Sequence, residues 1–137
     1  MEMVIVDAGP LVAYLKKDEG DHAWVVEQFR HFRVPMLSCD AALSEAFFLL
    51  SGAHGGFQRL LALLERGLVV PAFDLRSELS AFSQLMLRYE NVPMSLADAC
   101  LVRMAELHRA AAVFTLDTDF KVYRKNRREV IPLIFPI

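Results

Sequence analysis

The chain has 137 residues, 55% of them hydrophobic, and sets 15 Lys and Arg against 17 Asp and Glu for a formal net charge of −2. That length predicts one domain over residues 1–137, able to bury a core without a disulfide or metal staple. The apolar content excludes a disordered chain, the near-neutral balance excludes a polyanion binder acting through bulk charge, and the two cysteines, Cys39 and Cys100, exclude a disulfide framework.

In chain order, the β-branched run Met3-Val-Ile-Val6 predicts a short strand ending at Asp7. Gly9-Pro10 opens a helix through Leu11, Tyr14 and Leu15, since proline suits a first helical turn. Asp18-Glu-Gly-Asp21 interrupts it, and Asp21 caps a second helix with the stripe Trp24, Val25, Phe29 and Phe32. Val34–Ser38 predicts a second strand, Ala41–Leu50 a nearly all-apolar helix, Ser51–Gly56 a Gly-rich break and Phe57–Leu64 another helix. Leu68–Phe73 predicts the third strand, with Asp74 capping a long helix to Tyr89. Ser95 begins a further helix to about His108, Ala111–Thr115 is the fourth strand and Val130–Phe135 the fifth. Pro132 and Pro136 cannot donate to a ladder and put that last strand at a sheet edge. Strands alternating with helices imply βαβ units: an α/β fold around a mostly parallel sheet.

The four histidines are scattered, and no Cys or His pair has zinc spacing. The first residues carry no basic region and no apolar stretch of signal length. No apolar run approaches the ~18–20 residues of a membrane span, so a cytoplasmic protein without membrane contact is expected.

Acids stand at four kinds of position, each with a local reading of its own. Asp7 ends the first strand, at the sheet edge where open parallel sheets bind ligands. Taken singly it is a turn or cap residue. Glu45 shares a helical stripe with Ala42, Ala46 and Leu49, where a buried charge costs several kcal/mol unless a cation compensates it; the competing reading is a solvated helix side. Asp98 follows Ser95 at capping-box spacing, yet heads the stripe of Leu101, Val102 and Ala105. Asp117 and Asp119 end the fourth strand in a D-x-D turn, ordinarily stabilised by its own side chains.

Together, strand-end acids and acids on two inward helix stripes would repel one another at one end of a sheet. A hard divalent cation makes such a cluster tolerable, and Mg²⁺ or Mn²⁺ suits oxygen ligands and supplies an activated water. Between Lys121 and Arg128 five of eight residues are basic, and removing their +5 from the net −2 leaves −7 on the rest of the chain. Acid-bound Mg²⁺ beside a basic arm points to phosphodiester chemistry.

Asp7-Ala-Gly-Pro-Leu-Val-Ala, the Ser38–Glu45 segment, Met94-Ser-Leu-Ala-Asp-Ala99 and Phe114-Thr-Leu-Asp-Thr-Asp-Phe120 fall in the order seen in PIN domains. The chain resembles, over essentially its whole length, the VapC-type toxins of toxin–antitoxin pairs. The resemblance implies a three-layer α/β/α sandwich with a five-stranded parallel sheet of order 3-2-1-4-5. It also implies a Mg²⁺- or Mn²⁺-dependent endoribonuclease, usually dimeric, with a cognate antitoxin. Carried over by position, Asp7, Glu45, Asp98 and Asp117 form the acidic quartet, with Asp119 as a fifth acid and Thr115 orienting a carboxylate or water. Gly9 departs from the family, many members of which have Ser or Thr there. Lys121, Arg124, Lys125 and Arg128 are candidates for gripping RNA phosphates, against the alternative of a solvated loop. Tyr123 is read either as stacking on a base or as packing beneath the edge strand.

Phe47, Phe48, Leu49, Leu50, Phe57, Leu60, Leu61 and Leu64 exceed the needs of one sandwich face, which suggests a homodimer seam or a groove for an antitoxin helix, with core packing as the competing reading. An antitoxin could also place an Arg or Lys among the acids. The other function classes left open are a non-catalytic RNA-binding or scaffold domain and a housekeeping metal-dependent nuclease.

Overall fold

Short, wholly buried β-branched and apolar segments form the centre of the sheet: β1 (Val4–Val6), β2 (Met36–Ser38) and β4 (Ala112–Phe114), flanked by β3 (Val69–Pro71) and β7 (Leu133–Ile134). A computed structural model describes residues 3–136; Met1, Glu2 and Ile137 of the expected 1–137 span lie outside the described residues. The five strands are parallel in the order β3-β2-β1-β4-β7, with Ile5 opposite both Leu37 and Val113. This is the expected 3-2-1-4-5 pattern, its edge position filled by the Pro132-flanked strand.

Six helices connect and cover the strands: α1 (Ala8–Leu15), α2 (His22–Phe29), α3 (Asp40–Leu50), α4 (Gly56–Glu65), α5 (Leu79–Arg88) and α6 (Leu96–Leu107). Strand alternation divides the core into two layers. Val4, Val6, Met36 and Phe114 face Leu11, Val25 and Leu60, while Ile5, Leu37 and Val113 face Leu85, Leu101 and Ala105. Phe114 is the anchor of the first layer: the rings of Trp24, Phe29 and Phe32 surround it at centroid distances of 5.7, 5.6 and 5.0 Å. A phenylalanine so enclosed is worth about 3–5 kcal/mol against alanine.

Several local expectations are corrected. Asp74 does not cap α5: its carboxylate takes the Arg76 N–H at 3.2 Å and the Ser77 hydroxyl in a turn of its own, and the helix begins four residues beyond Arg76's neighbour Leu75, at Leu79. Asp21 precedes α2 but makes no side-chain cap bond, and Phe32 joins the core from beyond the helix end. α4 starts at Gly56, where a Cβ would stand 3.0 Å from the Leu50 carbonyl, after Gly55 takes the left-handed φ of +67°.

The expected strand Val130–Phe135 is two pieces. β6 (Glu129–Val130) pairs antiparallel with β5 (Arg124–Lys125) in a separate hairpin, and only β7 reaches the sheet. Pro132 separates them. Asn126 and Arg127 turn the hairpin at φ +49° and +72°, and the Asn126 N–H is tied to Glu106 Oε2 at 2.6 Å. The turn has no glycine, the usual mark of a hairpin, so its left-handed residues were invisible in the sequence.

Candidate functional site

Each acid is positioned by ordinary local structure. Asp7 extends the β1 ladder through its N–H to the Phe114 carbonyl (2.9 Å) and N-caps α1, its Oδ1 accepting from Ala8 N at 2.8 Å. Thr115, fully buried at the end of β4, donates its hydroxyl to Asp7 Oδ2 at 2.8 Å and accepts from Asp117 N at 3.0 Å. One hydroxyl thus ties the two strand-end acids together. Asp117 in turn accepts from Asp119 N at 2.9 Å, opening the 3-10 turn Thr118–Lys121.

Asp98 sits in a reciprocal capping box at the start of α6: its N–H reaches Ser95 Oγ at 3.0 Å, and its Oδ2 takes the Ser95 N–H at 3.4 Å. The same Oδ2 accepts the Tyr123 hydroxyl at 2.9 Å. Glu45 rises from α3 with an exposed side chain, so of its two readings the solvated helix side holds: the buried stripe is Ala42, Leu43, Ala46 and Leu50. It nevertheless borders the same cleft.

These residues enclose a cavity of about 430 Å³ at the carboxyl end of β1 and β4, lined by Asp7, Gly9, Glu45, Pro93, Ser95, Asp98, Leu116, Asp117 and Asp119. No Lys, Arg or His lines it. No ion pair among the described residues reaches any of its five acids. Carboxylate oxygens of Asp98, Asp117 and Asp119 lie within 4.8 Å of one another; Asp7 and Glu45 stand outside that tightest group.

The electrostatic cost is visible in the buried pair. Burial, above all, pushes the Asp7 carboxyl up from 3.8 to about 6, despite the Thr115 and Ala8 hydrogen bonds, and the charges of Asp98 and Glu45 push it further the same way. Asp98 is also raised, chiefly by burial and against the Tyr123 and Ser95 donors, with Asp117 adding repulsion. Burial and the adjacent Asp98 carboxylate raise the Tyr123 phenol, which keeps it a donor.

Gly9 is not sterically required, because a Cβ there would meet Leu116 at an ordinary 3.5 Å. The basic arm is less uniform than its sequence. Lys121 and Arg128 are exposed, the former with its ammonium 4.3 Å from the Phe135 ring centroid. Arg124 donates to the carbonyls of Lys121, Val122 and Tyr123. Lys125 is only 7% exposed and donates to the Arg109 carbonyl at 3.1 Å, so burial takes it out of the phosphate-gripping set expected for it.

A family model described as the PIN domain matches residues 4–126. The chain belongs to the PIN-domain family. No curated protein matches it significantly in sequence. Among solved structures, this PIN domain is similar to Mycobacterium tuberculosis VapC20, described as a sarcin-ricin loop cleaving toxin. The TM-score is 0.76 at 18% sequence identity, covering 94% of this chain and 99% of that one. Tyr123, left by the sequence between base stacking and packing, is fully buried in this PIN domain, and its contact with Asp98 is what sequence reading missed. It stands 25 positions from Asp98, and only the fold brings the two together. Among the described residues, no helix is long and apolar enough to cross a membrane.

Proposed function

We propose that the chain, residues 1–137 acting as one unit, is a Mg²⁺- or Mn²⁺-dependent endoribonuclease and the toxin of a type II toxin–antitoxin pair, acting in the cytoplasm. The observation that carries this reading is the cleft itself: five carboxylates around about 430 Å³ with no basic side chain in its lining. The PIN family and the fold shared with VapC20 support it.

The donor set fits a hard divalent cation. All candidate ligands are carboxylate oxygens, the type a hard cation takes, and those of Asp98, Asp117 and Asp119 lie within 4.8 Å of one another. Asp98, Asp117 and Asp119 would hold the ion, with Asp7 and Glu45, the other two members of the expected quartet, adding their negative field. When bound, the ion supplies a water of lowered pKa and offsets charge developing on the phosphodiester oxygens. The chain's own residues do the rest: Thr115 holds Asp7 and the Asp117 backbone in fixed relation, and Ser95 and Tyr123 hold Asp98. In-line attack by water on phosphorus leaves a 5′-phosphate and a 3′-hydroxyl.

Incubation of purified protein with total cellular RNA tests the reading. Discrete fragments are expected with Mg²⁺ or Mn²⁺ and none with EDTA. RNA binding without metal-dependent fragments would replace the nuclease by a binding domain.

Of the four candidate cations, Lys121 and Arg128 are the exposed ones, and we assign them to RNA phosphates. Lys121→Glu and Arg128→Glu should each weaken binding of single-stranded RNA uniformly across sequences and reduce the slope of log affinity against log salt by about 1. An unchanged slope would return that residue to ordinary surface.

The toxin reading also calls for protein partners. Phe48 (76% exposed), Leu49, Phe57 and Leu61 are exposed apolar side chains on α3 and α4, while Leu50 and Leu60 of the same stretch are fully buried core. We assign these side chains to a homodimer seam, with the cognate antitoxin placing a basic side chain among the acids. Light scattering should give a dimer mass for the wild type and a monomer mass for Phe48→Asp, with unchanged circular dichroism. A monomeric wild type at tens of micromolar would sink the seam.

A further inference from the structure

The 3-10 turn that brings Asp117 and Asp119 to the cleft is followed, two residues after its end, by Tyr123. Its ring has no solvent exposure and is held edge-on by Tyr89 and Phe120, at centroid distances of 5.2 and 5.3 Å. The Tyr123 N–H is bonded to the Asp119 carbonyl at 3.2 Å, which ties its backbone to the turn that carries Asp117 and Asp119. Its hydroxyl crosses to α6 and donates to Asp98 Oδ2 at 2.9 Å. That oxygen also takes the Ser95 N–H, whereas no donor among the described residues serves Asp98 Oδ1.

We propose that Tyr123 is the positioning residue of the carboxylate centre, its hydroxyl engaging Asp98 Oδ2 so that Oδ1 is left to the divalent cation shared with Asp117 and Asp119. This rests on the metal-dependent reading above. A carboxylate can turn about its Cβ–Cγ bond, and the buried phenol together with the Ser95 N–H holds its plane, so that the oxygen without a donor keeps one direction. The device has the form of the outer hydrogen bonds that orient ligands in metal sites, whose loss typically weakens metal binding about 10–100-fold. It also gives the 121–128 segment a purpose beyond its charges: the stretch after the D-x-D turn locks an acid from a different helix.

Tyr123→Phe removes one hydroxyl and leaves the ring to pack. Tyr89→Phe is the control for simple loosening, because the Tyr89 hydroxyl belongs to the same aromatic cluster and accepts the Arg124 N–H at 2.9 Å but touches no acid of the site. Mn²⁺ binding is followed by the electron paramagnetic resonance signal of the free ion, and kcat and KM for an RNA substrate are measured alongside. The expected result is a Mn²⁺ Kd raised about 10–100-fold in Tyr123→Phe, with kcat falling and KM for RNA little changed, and a Kd within about twofold of wild type in Tyr89→Phe. Equal Mn²⁺ affinity in wild type and Tyr123→Phe would overturn the positioning role and leave the nuclease reading intact. Equal weakening in both variants would overturn it too, in favour of general loosening. A wild type that binds no Mn²⁺ would overturn both the role and the reading beneath it.

Discussion

Replacing Asp7 with Asn is expected to abolish RNA cleavage and, at the same time, to make the metal-free protein more stable. Asp7 is 8% exposed, and its carboxyl is raised from 3.8 to about 6, mainly by burial. The sign of the linkage follows. Below pH 3.8 the carboxyl is protonated in both folded and unfolded chains and costs nothing. Between 3.8 and about 6 the unfolded chain ionises while the folded one stays protonated, so stability falls as pH rises; above about 6 the loss is complete. A shift of that size corresponds to about 3 kcal/mol at pH 7. Asn keeps an oxygen for the Ala8 N–H, and its amide can donate to Thr115 Oγ1 in place of the bond that hydroxyl now makes. Thermal unfolding in EDTA at pH 7 should therefore show Asp7→Asn melting several degrees above wild type, with the gap closing as the pH is lowered toward 4. Saturating Mg²⁺ should reverse the order, because only the wild type has the full carboxylate set to be repaid by the ion. Equal stability of the two proteins across that pH range in EDTA would mean that Asp7 carries no burial penalty.

The second large effect is expected at Asp98. Asp98→Asn should lower metal-dependent cleavage by roughly 10³-fold or more, since it removes one of the three closely grouped carboxylates. The fold should survive: Asn retains an oxygen for the Tyr123 hydroxyl and remains compatible with the start of α6, whose Ser95 cap is untouched. Cleavage of total RNA beside circular dichroism checks both halves. Activity near wild type would remove Asp98 from the centre, and an unfolded variant would show that its capping role outweighs the rest.

How much of this was legible follows from the range of the interactions concerned. The five main strands, the helices between them and the parallel order were readable because β-branched runs alternate with amphipathic stretches, and because the motif order matches a known family. Ser95 and Asp98 were readable as a capping box because both partners lie within one helical turn. The hairpin at Arg124–Val130 was not, because its left-handed turn uses Asn126 and Arg127 rather than glycine. The start of α5 was misplaced because Asp74 satisfies its neighbours locally instead of capping a helix. Glu45 shows the limit of periodicity: its stripe reads as apolar, yet the buried face of α3 is turned away from it, as packing on α1 and α6 decides.

By itself, then, the sequence determined the strand and helix alternation, the local caps and the identity of the acids, since each depends on propensity, spacing or residue chemistry over a few positions. The tertiary structure alone decided which of those acids meet. It brought Asp98, Asp117 and Asp119 within 4.8 Å, left Glu45 at the rim, buried Lys125 against the Arg109 carbonyl and set the Tyr123 hydroxyl on Asp98. Those contacts join residues far apart in the chain. Their geometry depends on the sheet register and on the packing of α6 over it, and no local pattern encodes either.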